Sequence, residues 1–283
     1  MCNTDNEVAS KIENFIKTYM SPTVSGSIGG VSGFLVASVV TGDPLLGIAT
    51  GGAIRGLTSE MVKRRLGDII DRQISMREKN RVADATYFAI AKIQTKLENN
   101  DQLGNLKFFS YDETGSNKPD EVFENFVMKC QREPQEKKIP YMANLFANLI
   151  FYQYASNELA HQLINFSETL TYRQLQILQI TRRHSSELQR TNLNDKRGVH
   201  VDQAQILYEY LSLYHLGLID FVILRPMTTG GIEPTFGIRD ISPEKADVHG
   251  MGLLLCELME LDTMPITEFT TIFNTLNNMD VGK

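Results

Sequence analysis

The side chains that could carry out chemistry are few and scattered. The three cysteines, Cys2, Cys130 and Cys256, stand far apart in the chain. They form no Cys-x-x-Cys motif, and their odd number fits a reducing compartment without a disulfide frame. The five histidines, His161, His184, His200, His215 and His249, are not expected to meet another His, a Cys or a carboxylate at metal-ligand spacing, and His-Glu-x-x-His does not occur. The carboxylate pairs Asp68/Asp71 and Glu257/Glu260 fall on predicted helices or at their ends, where solvation accounts for them. Gly-x-Ser-x-Gly is absent. These residues therefore predict no catalytic group, no metal and no cofactor, and the chain is not expected to be an enzyme.

What the sequence concentrates instead is glycine. Nine of its twenty glycines lie between positions 26 and 56: Gly26, Gly29, Gly30, Gly33, Gly42, Gly47, Gly51, Gly52 and Gly56. Thr18 to Gly42 contains no charged residue, and after Asp43 none follows before Arg55. A glycine costs a helix in water up to about 1 kcal/mol relative to alanine, so the environment must compensate. The pairs 26/30, 29/33, 47/51 and 52/56 have the small-xxx-small spacing that lets helix backbones touch within lipid, and Phe34 stands in the same stretch.

A turn at Thr41-Gly42-Asp43-Pro44 divides this stretch into two predicted helices, about 24–40 and 45–56. At about 1.5 Å per residue they reach roughly 26 Å and 18 Å, against about 30 Å of hydrocarbon. Ser25, Ser27, Ser32, Ser38, Thr41 and Thr50 dilute them further, so the hairpin is a poor constitutive anchor. It is expected to insert conditionally, with several copies associating through their glycine faces. Two other readings stay open: a hairpin buried inside a helical bundle, and a phosphate-cradling loop at Gly26 to Gly30. The loop reading lacks a following Gly-Lys-Ser/Thr and a preceding strand.

The elements that would carry this stretch are mainly helical. The chain has 283 residues, 42% apolar and 22% charged, with a formal charge of −6. That balance excludes wholesale disorder, collagen and supercharged nucleic-acid tails. An amphipathic helix is predicted over 3–17. No secretory leader is expected, because no basic region precedes an apolar run. Residues 55–98 hold ten Lys/Arg against six Asp/Glu. Lys63, Arg64 and Arg65, followed by Arg72, Arg77, Lys79 and Arg81, could meet anionic lipid headgroups at on the order of 1 kcal/mol each. A solvated helix face is the alternative. Val82, Phe88, Ile90, Ile93 and Leu97 continue a helical apolar spacing. Breakers follow over 99–120, then predicted helices near 120–132, 138–154 and 156–168.

From Leu170 the pattern is helix 170–183, helix 201–216, strand 218–224, turn 226–231, strand 232–241 and helix 248–261. That order resembles a winged helix. The expected fold is thus mainly α: residues 1–57 an amphipathic helix and glycine-rich hairpin, 58–168 a helical domain, and 169–283 a winged-helix-like α+β domain with C-terminal helices. Residues Leu170 to Glu260 carry nine Lys/Arg and eleven Asp/Glu, and helix 201–216 has no Lys or Arg. This argues against a duplex partner, although Arg182, Arg183, Arg190, Lys196 and Arg197 could form a local patch.

The charged run Glu136-Lys137-Lys138 ahead of Ile139-Pro140-Tyr141 reads as a helix opening, or as part of an oligomer contact with Arg132 and Glu133. Together with Ser75-Met76-Arg77-Glu78-Lys79-Asn80-Arg81-Val82 and Leu170-Thr171-Tyr172-Arg173-Gln174-Leu175, it is similar to phrases of uncharacterised bacterial and prophage proteins. With the glycine hairpin, the chain resembles single-gene prophage defence effectors that form rings on phage structural proteins and disrupt membranes. The resemblance implies a soluble cytoplasmic resting protein and an oligomeric phage structural protein as trigger. It further implies homo-oligomers at the inner membrane, and death of the infected cell. The runner-up is a winged-helix regulator or protein-interaction adaptor.

Overall fold

The computed structural model describes residues 75–104, 118–188, 201–221 and 237–277. Among them the chain is mainly helical with one two-stranded sheet. It divides into two compact units between Thr169 and Leu170. Gly26, Gly29, Gly30, Gly33, Phe34, Gly47, Gly51, Gly52 and Gly56, the basic run Lys63, Arg64 and Arg65, and residues 222–236 of the expected C-terminal hairpin lie outside the described residues.

In the first unit, helix α1 (Met76–Glu98) opens on Ser75. Its Oγ accepts from Glu78 N at 3.3 Å, while Glu78 Oε2 accepts from Ser75 N at 2.8 Å. This reciprocal pair satisfies two of the donors that every helix start leaves open. Helix α2 (Lys118–Arg132) buries Val122, Phe123, Phe126, Val127 and Cys130 on one stripe. A 3-10 turn at Glu136–Lys138 leads into α3 (Ile139–Phe151), with Pro140 in its first turn, where the missing N–H costs nothing. Helix α4 (Asn157–Thr169) starts at Ser156, whose Oγ accepts from Leu159 N at 3.1 Å.

Nine of the 13 residues of α3 are buried, and the helix packs against α1, α2 and α4. Phe146 on α3 stacks on Phe126 of α2 with ring centroids 4.7 Å apart. Toward α1 the contact is different in kind. The buried stripe of α1 is Val82, Ala85, Thr86 and Ala89, small side chains that bring the two helix axes close. Phe88, expected on the apolar stripe, is rotated off it and is 40% exposed, in edge contact with Tyr87.

In the second unit, α5 (Tyr172–His184) begins with a capping box: Gln174 N donates to Thr171 Oγ1 at 3.1 Å and Thr171 N to Gln174 Oε1 at 2.9 Å. All residues from Gln174 to Thr181 are buried, because α6 (Val201–His215), α7 (Met251–Leu258) and α8 (Ile266–Asn277) pack around this helix. Helix α6 ends in a Schellman motif, Leu218 N to Leu213 O at 3.0 Å and Gly217 N to Tyr214 O at 2.9 Å, with Gly217 at φ +69°.

Strand β1 (Ile219–Phe221) follows at once and pairs antiparallel with β2 (Ala246–Val248), Ile219 opposite Val248 and Phe221 opposite Ala246. Among the described residues the strand paired with β1 is therefore Ala246–Val248, later than the expected 232–241. Within the described part of that span, Ile238–Asp240 is a 3-10 turn: Asp240 turns back so that its carboxylate accepts from Gly237 N at 2.8 Å. The alternation needed for a half-buried strand is carried by Ala246 and Val248 around exposed Asp247. The helix expected over 248–261 is confined to Met251–Leu258, because Gly250 at φ +49° and Glu260 at φ +53° bound it in left-handed backbone.

Candidate functional site

The most distinctive polar construction among the described residues joins the start of α1 to the turn between α2 and α3. Three side chains on the first turns of α1 reach the single segment Gln131–Glu136. Arg77 Nε meets Glu136 Oε1 at 2.6 Å. Glu78 Oε1 accepts from Gln131 Nε2 at 3.4 Å. Arg81 donates through Nη1 to the backbone carbonyl of Glu133 and through Nε to Arg77 O at 3.3 Å. Arg77 and Glu78 each stand one turn before Arg81, at spacings of four and three residues, so both flank it on one side of the helix.

The segment that receives them is itself fixed from behind. Glu133 Oε1 accepts from Gln135 N at 2.8 Å, and Glu133 Oε2 receives Lys138 Nζ. Lys138 also donates to the carbonyl oxygen of Glu168 at 3.0 Å. Glu168 is in the last turn of α4, where carbonyls lack helical partners and a cation is favoured. Lys129 holds the Glu168 carboxylate. One buried ammonium thus ties the α2–α3 turn to the end of α4. Burial pulls the Lys138 ammonium below its ordinary lysine value, while the facing Glu133 carboxylate opposes that pull.

The polar groups of this arrangement are engaged with one another. Both polar ends of the Lys138–Glu133 pair are engaged, and the neighbouring Cys130 thiol is pushed far above its usual value by burial and by Glu133. A thiol so raised is an inert core side chain rather than a nucleophile. Among the described residues no group of three or more His, Cys, Asp or Glu could hold a metal.

The structure corrects several expectations. Glu133 and Lys138 are 2% and 1% exposed, so their side chains are engaged within their own unit rather than at its surface. Arg77 and Arg81, expected on a free basic flank, are partnered by Glu136 and Glu133; Arg72 lies outside the described residues. In the second unit Arg182 faces Glu257 at 3.5 Å and Arg183 forks onto Asp262. The expected cationic patch is therefore neutralised at both described positions, Arg190, Lys196 and Arg197 lying outside the described residues. His184 has Glu187 Oε1 2.8 Å from its Nδ1, a three-residue spacing that the sequence displays. His161 meets Asn125 at 2.9 Å.

Along α6 the exposed positions include Val201, Asp202, Gln205, Tyr208 and His215. Gln205 accepts from Arg173 at 3.4 Å. Among the described residues no helix is long and apolar enough to cross a membrane. With the fold a mainly helical chain carrying a small antiparallel sheet, no protein-family model, curated protein or solved structure matches it.

Proposed function

We propose that this chain is a conditionally membrane-active, homo-oligomerising effector that disrupts the inner membrane of an infected cell in anti-phage defence by abortive infection. The observation that carries the reading is the glycine cluster Gly26 to Gly56 in a stretch interrupted by the single charge of Asp43. Such a stretch is poorly suited to a helix in water and well suited to close backbone contact in lipid. Its associating face would be Gly26, Gly29, Gly30, Gly33 and Phe34 with Gly47, Gly51, Gly52 and Gly56. Lys63, Arg64 and Arg65 would engage anionic headgroups. At rest the protein would be cytoplasmic, and an oligomeric phage structural protein would be the trigger. The first unit would then serve as the holder of the N-terminal stretch.

Dye release from anionic liposomes tests this, with the whole chain compared with one lacking residues 24–56. The reading predicts release by the whole chain under oligomerising conditions and none by the shortened one. The absence of release under every such condition would sink it.

A second reading, a winged-helix regulator or adaptor, is favoured by the order helix, helix, strand across α5, α6 and β1. The pairing of Arg182 and Arg183 with acidic partners weighs against duplex DNA as its ligand and toward a protein. A salt-dependent duplex shift abolished by Arg182→Ala with Arg183→Ala would favour the regulator.

A further inference from the structure

We infer that the contacts of Arg77, Glu78 and Arg81 with Gln131–Glu136 form an autoinhibitory clamp that keeps the start of α1 on the helical bundle. This rests on the membrane-active reading for what is released, and on the geometry alone for the clamp itself.

Three observations make the first turns of α1 the part that opens. All three polar side chains converge on one short segment, so a single disturbance of that segment loosens all of them. The apolar hold of these opening turns is small: ahead of Val82 no apolar side chain of α1 is buried, and Arg81 is the buried residue there. Apolar stabilisation follows buried area, so the start of α1 is held by its polar contacts, whereas Val82, Ala85, Thr86 and Ala89 pack the following turns. The receiving segment, by contrast, is locked to α4 through Lys138. The clamp therefore has a rigid jaw, the α2–α3 turn, and a weakly held jaw, the start of α1.

The weak jaw is also polar in a way that competition can exploit. Arg77 and Glu136 are solvent-accessible, with side chains 68% and 51% exposed. An acidic partner surface can take Arg77 from Glu136 without first entering the core. Arg81 is 9% exposed and its acceptor is a backbone carbonyl, so it yields only when α1 lifts.

The test reverses the exposed pair in the full-length protein. Arg77→Glu places two carboxylates together, while the double variant Arg77→Glu with Glu136→Arg restores an ion pair of opposite sense. Because position 77 is exposed, neither change threatens the core. Hydrogen exchange is read by peptide over 76–89 and over 139–169, alongside liposome leakage. The clamp predicts that Arg77→Glu speeds exchange over 76–89 by about threefold to tenfold with 139–169 unchanged, and that the double variant restores it. Leakage should begin at lower protein concentration for Arg77→Glu and return on rescue. Unchanged exchange over 76–89 would overturn the clamp whatever the leakage. Faster exchange without easier leakage would overturn its role in release. Adding Gly30→Leu to Arg77→Glu separates the two ideas: leakage that persists contradicts the membrane reading, while opening of 76–89 would still stand.

Discussion

Lys138 Nζ lies 2.5 Å from Glu133 Oε2, with both side chains nearly removed from solvent at the turn between α2 and α3. Two ions taken out of water stabilise little as a pair, but removing one strands the other. Lys138→Met is therefore expected to cost the first unit about 3–5 kcal/mol, and adding Glu133→Gln to recover a substantial part of it. Urea denaturation of the four proteins of the cycle measures the coupling. Additive losses would show that the two groups do not sense each other.

Backbone proximity sets a second expectation. A Cβ on Gly252 would stand 2.0 Å from the carbonyl oxygen of Leu218, which is held by His249 N at 3.0 Å. Main chain cannot step aside as a flexible side chain does. Gly252→Ala should cost at least about 1–3 kcal/mol, whereas Gly237→Ala, whose added carbon would meet Asp240 Oδ2 at an ordinary 4.0 Å, should stay within about 0.5 kcal/mol. Thermal unfolding of both variants compares them, and equal losses would count against the close approach of Gly252 to the Leu218 carbonyl.

The buried thiols give a chemical readout. Burial pushes Cys256 up to about 12 and raises Cys130 strongly as well, so neither forms appreciable thiolate near neutral pH. Maleimide labelling followed by peptide mass spectrometry should leave both unmodified in the folded protein and modify both in urea. Rapid labelling of Cys130 under native conditions would mean that the start of the bundle opens more readily than its packing implies.

Acid should act on the second unit through Asp262. The Arg183 guanidinium hydrogen-bonded to it holds its carboxyl below the usual aspartate range, and Arg182 adds to this. A folded-state value below the unfolded one stabilises the fold above about pH 4, and that contribution is lost as pH falls through the folded-state value. Below about pH 4 the melting temperature of the wild type should therefore fall more steeply than that of Asp262→Asn. Parallel curves would remove Asp262 from the acid response.

Much of the helical framework is legible in the residues, for a physical reason. Phe123, Phe126, Val127 and Cys130 on α2, and Phe269, Ile272 and Leu276 on α8, repeat at the spacing of a buried helix face. Helix α1 is read less well: its large apolar side chains suggest a stripe through Phe88, but the close approach to α3 selects Ala85, Thr86 and Ala89. The clamp is hidden because Arg81 reaches a residue 52 positions away through a backbone carbonyl, which leaves no mark in side-chain type. Lys138 and Glu133 do stand close in sequence, yet Glu136-Lys137-Lys138 reads as an ordinary charged helix opening, and only packing against α4 buries its last member. Strand β2 has three residues, too few to show a period.

The central claim concerns the glycines, and cell growth measures it most directly. Wild type, Gly30→Leu and Gly51→Leu are expressed to matched levels, and membrane depolarisation is followed with a potential-sensitive dye. The account predicts depolarisation and arrested growth with the wild type and relief of both in either leucine variant, since a side chain at those positions keeps helix backbones apart. Equal toxicity of all three, or normal growth and full polarisation with abundant wild-type protein, would contradict it.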